Sequence, residues 1–266
     1  MEEILNLYNY IWKEGLDLKI DLLKRIVSVT LSVVLMFSMN VPTLAASTTV
    51  TANDLALERR IDGLIDGSII PVMDGVMPFS VELENLKNVV SSEIVAVEVV
   101  EVPQSRSIGA LSSYEALVVT RAALKSEKSD ELVDVYYFCR LNYDRIQHRD
   151  VSSGIYKVTS VQGGVTRISD PQMSCKNMTL SYYCGGNRYK NSTEPRSVGA
   201  ENKTSSNFAG KTGTTYSLSG PTSGWYYATD GSSFVSGRID ITVRRNVSSY
   251  EATAYMWVNL NGNPFG

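Results

Sequence analysis

From Glu93 onward, apolar residues recur at every second position of the chain, and β-branched and aromatic residues dominate. Side chains of a strand alternate between its two faces, so this period is typical of strands that bury one face. In GRIDITVRR (residues 237–245), the period predicts that Ile239, Ile241 and Val243 point inward. The residues between them, such as Arg238, should face water. Eight segments fit a strand: residues 93–102, 113–124, 131–143, 154–161, 178–184, 224–229, 237–245 and 250–260.

Turn-forming residues separate these segments, and no helical pattern lies between them. The separators include Gln-Gly-Gly at 162–164, Asp-Pro at 170–171 and a long polar stretch at 185–210. Short strands at such spacing favour antiparallel pairing. The sequence therefore predicts an all-β domain over residues 91–266, built as an antiparallel β-sandwich, with a β-barrel as the alternative.

Residues 22–47 have the parts of a secretion signal. Lys24 and Arg25 form a basic start, an apolar run follows at residues 26–39, and Pro42 precedes small residues suited to signal peptidase. The run is shorter than the about 20 residues that a membrane-spanning helix needs. We therefore expect residues 1–45 to be an N-terminal extension and a helical signal peptide. The mature protein should be secreted, with no membrane association after cleavage.

Residues 46–90 are predicted to form a mixed leader segment with one short helix. Leu57, Ile61 and Leu64 recur at helical spacing within residues 54–65. Three Asp-Gly pairs lie in the same region, but they lack the spacing of a calcium-binding loop and are typical of turns.

The formal net charge is −3, and the sequence contains no basic block or stripe. Binding to nucleic acid depends on such concentrated positive charge, so nucleic acid is not a predicted partner. The chain after the signal, about 220 residues, is long enough to bury one full core.

Three cysteines follow the signal: Cys139, Cys175 and Cys184. Cys139 and Cys184 fall in phase with the apolar positions of their predicted strands, so both should point inward. Two arrangements fit, a disulfide between Cys139 and Cys184 or buried free thiols. The chain has a single histidine and no Cys-x-x-Cys spacing, so neither a metal site nor a cofactor is predicted.

His148 is the one imidazole that could activate a serine or cysteine nucleophile. Its segment is highly charged and joins two predicted strands, which predicts a solvated hairpin tip. The sequence therefore assigns no catalytic residue. A hydrolytic carboxylate pair stays open, because it depends on a separation in space. The carboxylates within predicted strands should lie at edges or face water: Glu98, Glu101, Glu115 and Asp134.

Aromatic residues cluster within the predicted strands. Consecutive rings alternate faces, so about half should point outward, where they can stack on sugars or on a protein partner. The other interpretation is that they pack across the strands of a partly exposed sheet. The candidate binding aromatics are Tyr137, Tyr183, Trp225, Tyr227 and Trp257.

The segment GIYKVTSVQGGVTRISDPQ (residues 154–172) combines a strand, a Gly-Gly pair and an Ile-Ser-Asp sequence. Tyr-Tyr-Phe at 136–138 precedes it, and a strand ending in Tyr-Cys-Gly at 183–185 follows. In these features the chain resembles a group of functionally uncharacterised, secreted all-β proteins of Gram-positive bacteria. The resemblance implies a secreted β fold and supplies no functional residues.

These features favour an exported, non-enzymatic binding or interaction module. Its partner is left open between a cell-surface polysaccharide and a protein. The alternatives are a secreted carbohydrate-binding or hydrolytic module and a toxin-like antibacterial factor.

The secretion signal gives the first testable prediction. The protein recovered from the culture medium should begin at Ala46 or Ser47, because signal peptidase cleaves after small residues. N-terminal sequencing of the secreted protein checks this. A cell-retained protein with an intact N-terminus would contradict it.

Overall fold

The computed structural model describes residues 52–73, 80–103, 111–125, 131–209, 211–229, 231–246 and 249–260. The predicted extension and signal peptide, residues 1–45, lie outside these ranges. Within them, a single helix is followed by strands: α1 (Ala52–Ile65), β1 (Ser80–Lys87), β2 (Val89–Val102), β3 (Leu111–Lys125), β4 (Leu132–His148), β5 (Val151–Ile168), β6 (Met173–Tyr189), β7 (Ser197–Ala209), β8 (Tyr216–Ser219), β9 (Tyr226–Tyr227), β10 (Phe234–Arg245) and β11 (Glu251–Asn259).

The strands pair into one open antiparallel sheet of eleven strands. Five of them pair in the order β1-β11-β10-β6-β7, which we call the first group. Five others pair in the order β2-β3-β4-β5-β8, the second group. The short strand β9 joins the groups, since it pairs with β5 and with β6. The predicted all-β, antiparallel architecture is therefore confirmed.

The inward faces of the two groups share one hydrophobic core. Met256 of β11 lies across this core from β3, with its sulfur 3.3 Å from the Thr120 hydroxyl. The alternation predicted for β10 is confirmed: Ile239, Ile241 and Val243 are buried, and the residues between them reach solvent. Burying one face of each strand therefore fixes which side chains the other face offers to solvent.

Helix α1 packs on the outward face of the second group. Its predicted apolar positions, Leu57, Ile61 and Leu64, are buried against strand residues that include Leu117 and Phe138. The predicted short helix is confirmed. Strands β3 and β4 are consequently covered on both faces where the helix lies, which explains why their apolar residues run together instead of alternating.

An ion pair with one buried partner, Glu98, lies under the same helix. The Arg60 Nε of α1 is 2.7 Å from the Glu98 Oε2 of β2, and Glu98 Oε1 accepts a hydrogen bond from the Val72 N–H at 3.2 Å. Glu98 does lie on an edge strand, β2, but it is only 2 % exposed, so the expectation that it faces water was wrong. A strand pattern does not reveal that a helix will cover the strand. Arg60 also lies 3.9 Å from Glu115, which is partly buried beside it.

Three strands differ from the sequence prediction. β1 belongs to the predicted leader, yet it pairs with β11, and the compact unit that holds it runs over Ala46–Gly266. β7 occupies the polar stretch expected to be a separator, and β8 follows it. β7 pairs with only one neighbour, β6, so it needs no apolar face to be held in the sheet. The alternation that marks a buried strand is missing there.

The glycines predicted to form a turn at residues 162–164 lie inside β5. A β-carbon added at Gly163 would come within 2.7 Å of Ile239 and 2.9 Å of Leu180, on two strands of the first group. Glycine is therefore needed here for close packing across the core, not for a turn.

The contact between α1 and the second group yields a stability prediction. Replacing Ile61 by Ala should lower the free energy of unfolding by about 2–5 kcal/mol, because it leaves a cavity under the helix. Urea denaturation measures the change. Leu55→Ala is the matched control on the same helix, since Leu55 is 47 % exposed, and it should change stability by less than about 0.5 kcal/mol. Equal effects of the two substitutions would refute the packing of α1.

Candidate ligand-binding face

The outward side chains of β1, β11, β10 and β6 meet in regular rows, because the strands pair without a register shift over residues 234–242 of β10 and 80–85 of β1. In one row Trp257 lies opposite Arg238 on one side and Glu82 on the other. In the next row Tyr255 lies opposite Asp240 and Glu84. The alternation that buries the inner faces of these strands thus brings aromatic and charged side chains together on the outer one.

Four aromatic residues form a stripe along this surface. The stripe begins at Phe234 on β10 itself. Its next three rings lie opposite β10 positions 236, 238 and 240, and they belong to Tyr183, Trp257 and Tyr255, respectively. Six residues of strand correspond to about 20 Å. The rings of Tyr183 and Trp257 are 5.0 Å apart between centroids and inclined by 46°. We call these four residues, with Arg238 and Asp240, the aromatic face.

The tip of the Phe234 ring lies close to a neighbouring glycine. A β-carbon added at Gly185, its partner on β6, would come within 2.8 Å of the Phe234 ring. The missing side chain at Gly185 therefore makes room for the ring against the backbone of β6. Phe234 remains 40 % exposed, so one side of the ring is open to solvent.

Arg238 lies at the centre of the aromatic face. Its guanidinium carbon is 4.2 Å from the Tyr255 ring centroid and 4.8 Å from that of Trp257, both within the range of a cation–π contact. Its Nε donates to Asp240 Oδ1 at 2.6 Å. These contacts hold the guanidinium in one place, so little side-chain entropy is lost when a ligand binds to it.

Asp240 is partly withdrawn from water. Burial raises the pKa of its carboxyl above the ordinary value, and the hydrogen bond and charge of Arg238 oppose that rise. A carboxyl with a raised pKa contributes most stability in acid, and that contribution is lost as the pH rises through its folded pKa. The Asp240 carboxyl accepts from Arg238 and has two oxygens, so it offers further acceptor positions to a ligand hydroxyl.

Polar pairs surround the rings. The Asn259 amide donates to Glu82 at 2.9 Å, the Thr242 and Thr253 hydroxyls are 3.3 Å apart, and Ser181 donates to Thr204 at 3.0 Å. Hydroxyl and amide groups both donate and accept hydrogen bonds. Asn259 and Ser181 are buried, whereas their partners Glu82 and Thr204 are exposed and both threonines of the third pair are partly exposed. The aromatic face is therefore bordered by carboxylate and hydroxyl groups that suit a ligand with many hydroxyls.

The predicted binding aromatics divide between surface and core. Tyr183 and Trp257 belong to the aromatic face. Tyr137 and Tyr227 are fully buried, so their expected role on a binding surface was wrong. Tyr137 falls in phase with the buried Val135 and Cys139, so its neighbour Tyr136 is the partly exposed ring of that pair. Trp225 is partly buried against the core and contacts Arg188, whose guanidinium carbon is 4.4 Å from its ring centroid.

Sequence reasoning missed two members of the stripe as site residues. Tyr255 was visible beside Trp257 at a spacing of two, which places both on the same side of β11. Phe234 precedes the predicted limits of β10 and carried no such signal. Phe234 joins the stripe because of the register between β10 and its neighbouring strands, and that register depends on pairing between distant segments.

All three cysteines are free and buried. Cys139 and Cys184 both point into the core, as the strand period predicted, and of the two arrangements the structure has the free thiols. Burial raises the pKa of each thiol to about 12. A protonated, inaccessible thiol is a poor nucleophile.

His148 ends β4 at the hairpin that leads into β5, as predicted. It is only 2 % exposed, so the prediction that it is solvated was wrong. Its ring packs on Tyr189 with the centroids 4.3 Å apart. Nδ1 accepts from the Asp150 N–H at 3.2 Å, and Nε2 lies 3.4 Å from the carbonyl oxygen of Glu194. Because Nδ1 accepts, Nε2 carries the proton and donates to that carbonyl. Both ring nitrogens are therefore engaged with backbone.

Within the ranges that the structure describes, no group of three or more His, Cys, Asp or Glu side chains is placed to hold a metal ion. Comparison with known proteins found no match to this chain among protein-family models, curated proteins or solved structures.

The buried cysteines give a chemical prediction. The folded protein at pH 8 should react negligibly with a thiol reagent such as dithionitrobenzoate, because its thiols are buried and protonated. In denaturant without reductant, all three cysteines of the chain should react. A count of a single reactive thiol in denaturant would instead indicate a disulfide.

Proposed function

We propose that this protein is an exported, non-enzymatic binding module that attaches to its ligand through the aromatic face. The observation that carries the proposal is the fixed arrangement of Tyr183, Trp257 and Tyr255 around Arg238. We also propose that the two groups of strands are the two layers of a β-sandwich. The core that they share supports this description.

The composition of the aromatic face supports a role in binding. Tryptophan, tyrosine and arginine are the residues that most often dominate the energetics of binding surfaces. Rigid rings give a large contact area for little loss of conformational entropy. Trp257, Tyr183 and Tyr255 are each partly exposed, so their rings are both supported from below and open to a ligand.

The state of the nucleophiles and of the histidine supports a non-enzymatic role. Cys139 is fully buried, and burial raises the pKa of its thiol. His148 is engaged through both ring nitrogens, as described above. Neither has the exposure that attack on a substrate requires.

Export is supported by the sequence of residues 22–47. An exported binding module meets its ligand outside the cytoplasm. The cell envelope of the organism that encodes the chain is accordingly the material with which to test binding.

A second candidate function is glycoside hydrolysis by the same face. The carboxylates of Asp240, Glu82 and Glu84 lie beside the rings, and glycosidases use pairs of carboxyl groups. Asp240 is held by Arg238 and Glu82 by Asn259. Release of reducing ends from a bound glycan, abolished in the Asp240→Asn variant, would distinguish hydrolysis from binding alone.

Binding through the aromatic face is tested by sedimentation with envelope particles. The purified protein should sediment with them, and the Tyr183→Ala/Trp257→Ala double variant should bind at least about tenfold more weakly, as expected when central rings are removed.

The matched control is Tyr136→Ala. Tyr136 is also a partly exposed strand tyrosine with an arginine, Arg167, near its ring at 5.8 Å, but it lies on β4 in the second group. This variant should bind like the parent protein. Equal binding by all variants, with their folds verified by circular dichroism, would refute the aromatic face as the binding surface.

A further inference from the structure

Resting on the proposed function, we propose that the aromatic face binds an extended chain of neutral sugar residues, aligned with strand β10. The ligand class follows from the shape of the stripe, the chemistry of the residues around it and their charge.

The shape of the stripe suits an extended ligand. Its rings lie level with successive outward positions of β10, from Phe234 to Asp240, over about 20 Å. A compact small molecule would contact only one or two of these rings. A glycan chain places several sugar units in a line and can contact all of them.

The chemistry of the aromatic face matches both sides of a sugar ring. A pyranose has a face of C–H groups, which packs on aromatic rings, and a rim of hydroxyl groups. Arg238 offers only donors, and the ionised Asp240 offers only acceptors. Their 2.6 Å contact places both kinds of group side by side at the centre of the stripe. A hydroxyl both donates and accepts, so it can bond to the two together.

Few aliphatic side chains accompany the rings. Three rows cross β1, β11, β10 and β6 at Ser236, Arg238 and Asp240, and the side chains that reach solvent in them are aromatic, charged or hydroxyl-bearing. The other polar side chains of these rows, Ser181, Ser236 and Asn259, are buried. The centre of a protein–protein interface is normally more apolar than this. A partner rich in hydroxyl groups fits these rows better than a protein surface does.

Charge distinguishes neutral from anionic glycans. Arg238 is the one cation in the same three rows, and its charge is compensated by Asp240. Glu82 and Glu84 add negative charge at the β1 side of the rings, where both are exposed. An anionic chain would meet net repulsion there, and a neutral chain would not.

The test uses affinity electrophoresis of the purified protein in gels that contain one soluble glycan each. The probes are neutral polymers (β-glucan, xylan and mannan) and one anionic polymer, polygalacturonate. At least one neutral polymer should retard the protein, and Tyr183→Ala/Trp257→Ala should weaken retardation at least about tenfold. Tyr136→Ala should leave it unchanged. Affinity for oligosaccharides of that polymer should rise with length until the stripe is covered.

A parallel experiment treats the envelope particles before binding. Periodate destroys sugar diols and should abolish binding of the parent protein, whereas protease should not. Binding that needs Trp257, survives periodate and is lost after protease would overturn the glycan proposal and leave the aromatic face as a protein-binding surface. Retardation by polygalacturonate alone would overturn the neutral ligand class. Equal binding by the parent and the double variant in both experiments would overturn the glycan proposal together with the proposed function.

Discussion

The core shared by the two groups of strands is the constraint on which the rest of the molecule depends. It buries one face of each strand, and the two-residue period then determines which side chains the other face presents. Thr120 and Met256 meet across this core although they lie on β3 and β11, far apart in the chain. The aromatic face exists because Ile239, Ile241 and Met256 are held inward on the same strands.

The outer faces of the two groups of strands differ in how far they are covered. The second group is covered by α1, with Ile61 in the centre of the contact and the Arg60–Glu98 ion pair beside it. A buried charge that loses its partner destabilises a protein strongly, so this pair also constrains where the helix lies. The first group has partly exposed Tyr255 and Trp257 on the corresponding side. An outer face with half-exposed rings on a well-packed sheet is what a binding surface needs, because rigid support lowers the entropic cost of binding.

The correct and incorrect predictions have a common explanation. The period of two identified β10 and the inward position of Cys139, and helical spacing identified α1. Sequence patterns failed at β7, because an edge strand needs no apolar face. They also failed at Gly163, where glycine allows close packing across the core and does not form a turn. His148 was expected near water because its segment is highly charged, and Glu98 because a carboxylate within a strand usually faces water or lies at an edge, yet both side chains are buried. Burial of a polar residue depends on what packs over it, which local sequence does not contain.

By itself, the sequence determined the all-β class, the short helix and the inward or outward direction of residues within its most regular strands. These features follow from local periodicity, which each segment carries independently of the others. Only the tertiary structure decided that Phe234, Tyr183, Trp257 and Tyr255 form one stripe around Arg238. These residues come from β10, β6 and β11, and their alignment is set by strand order and register. Strand order and register both depend on pairing between distant parts of the chain, and the sequence of one segment does not determine that pairing.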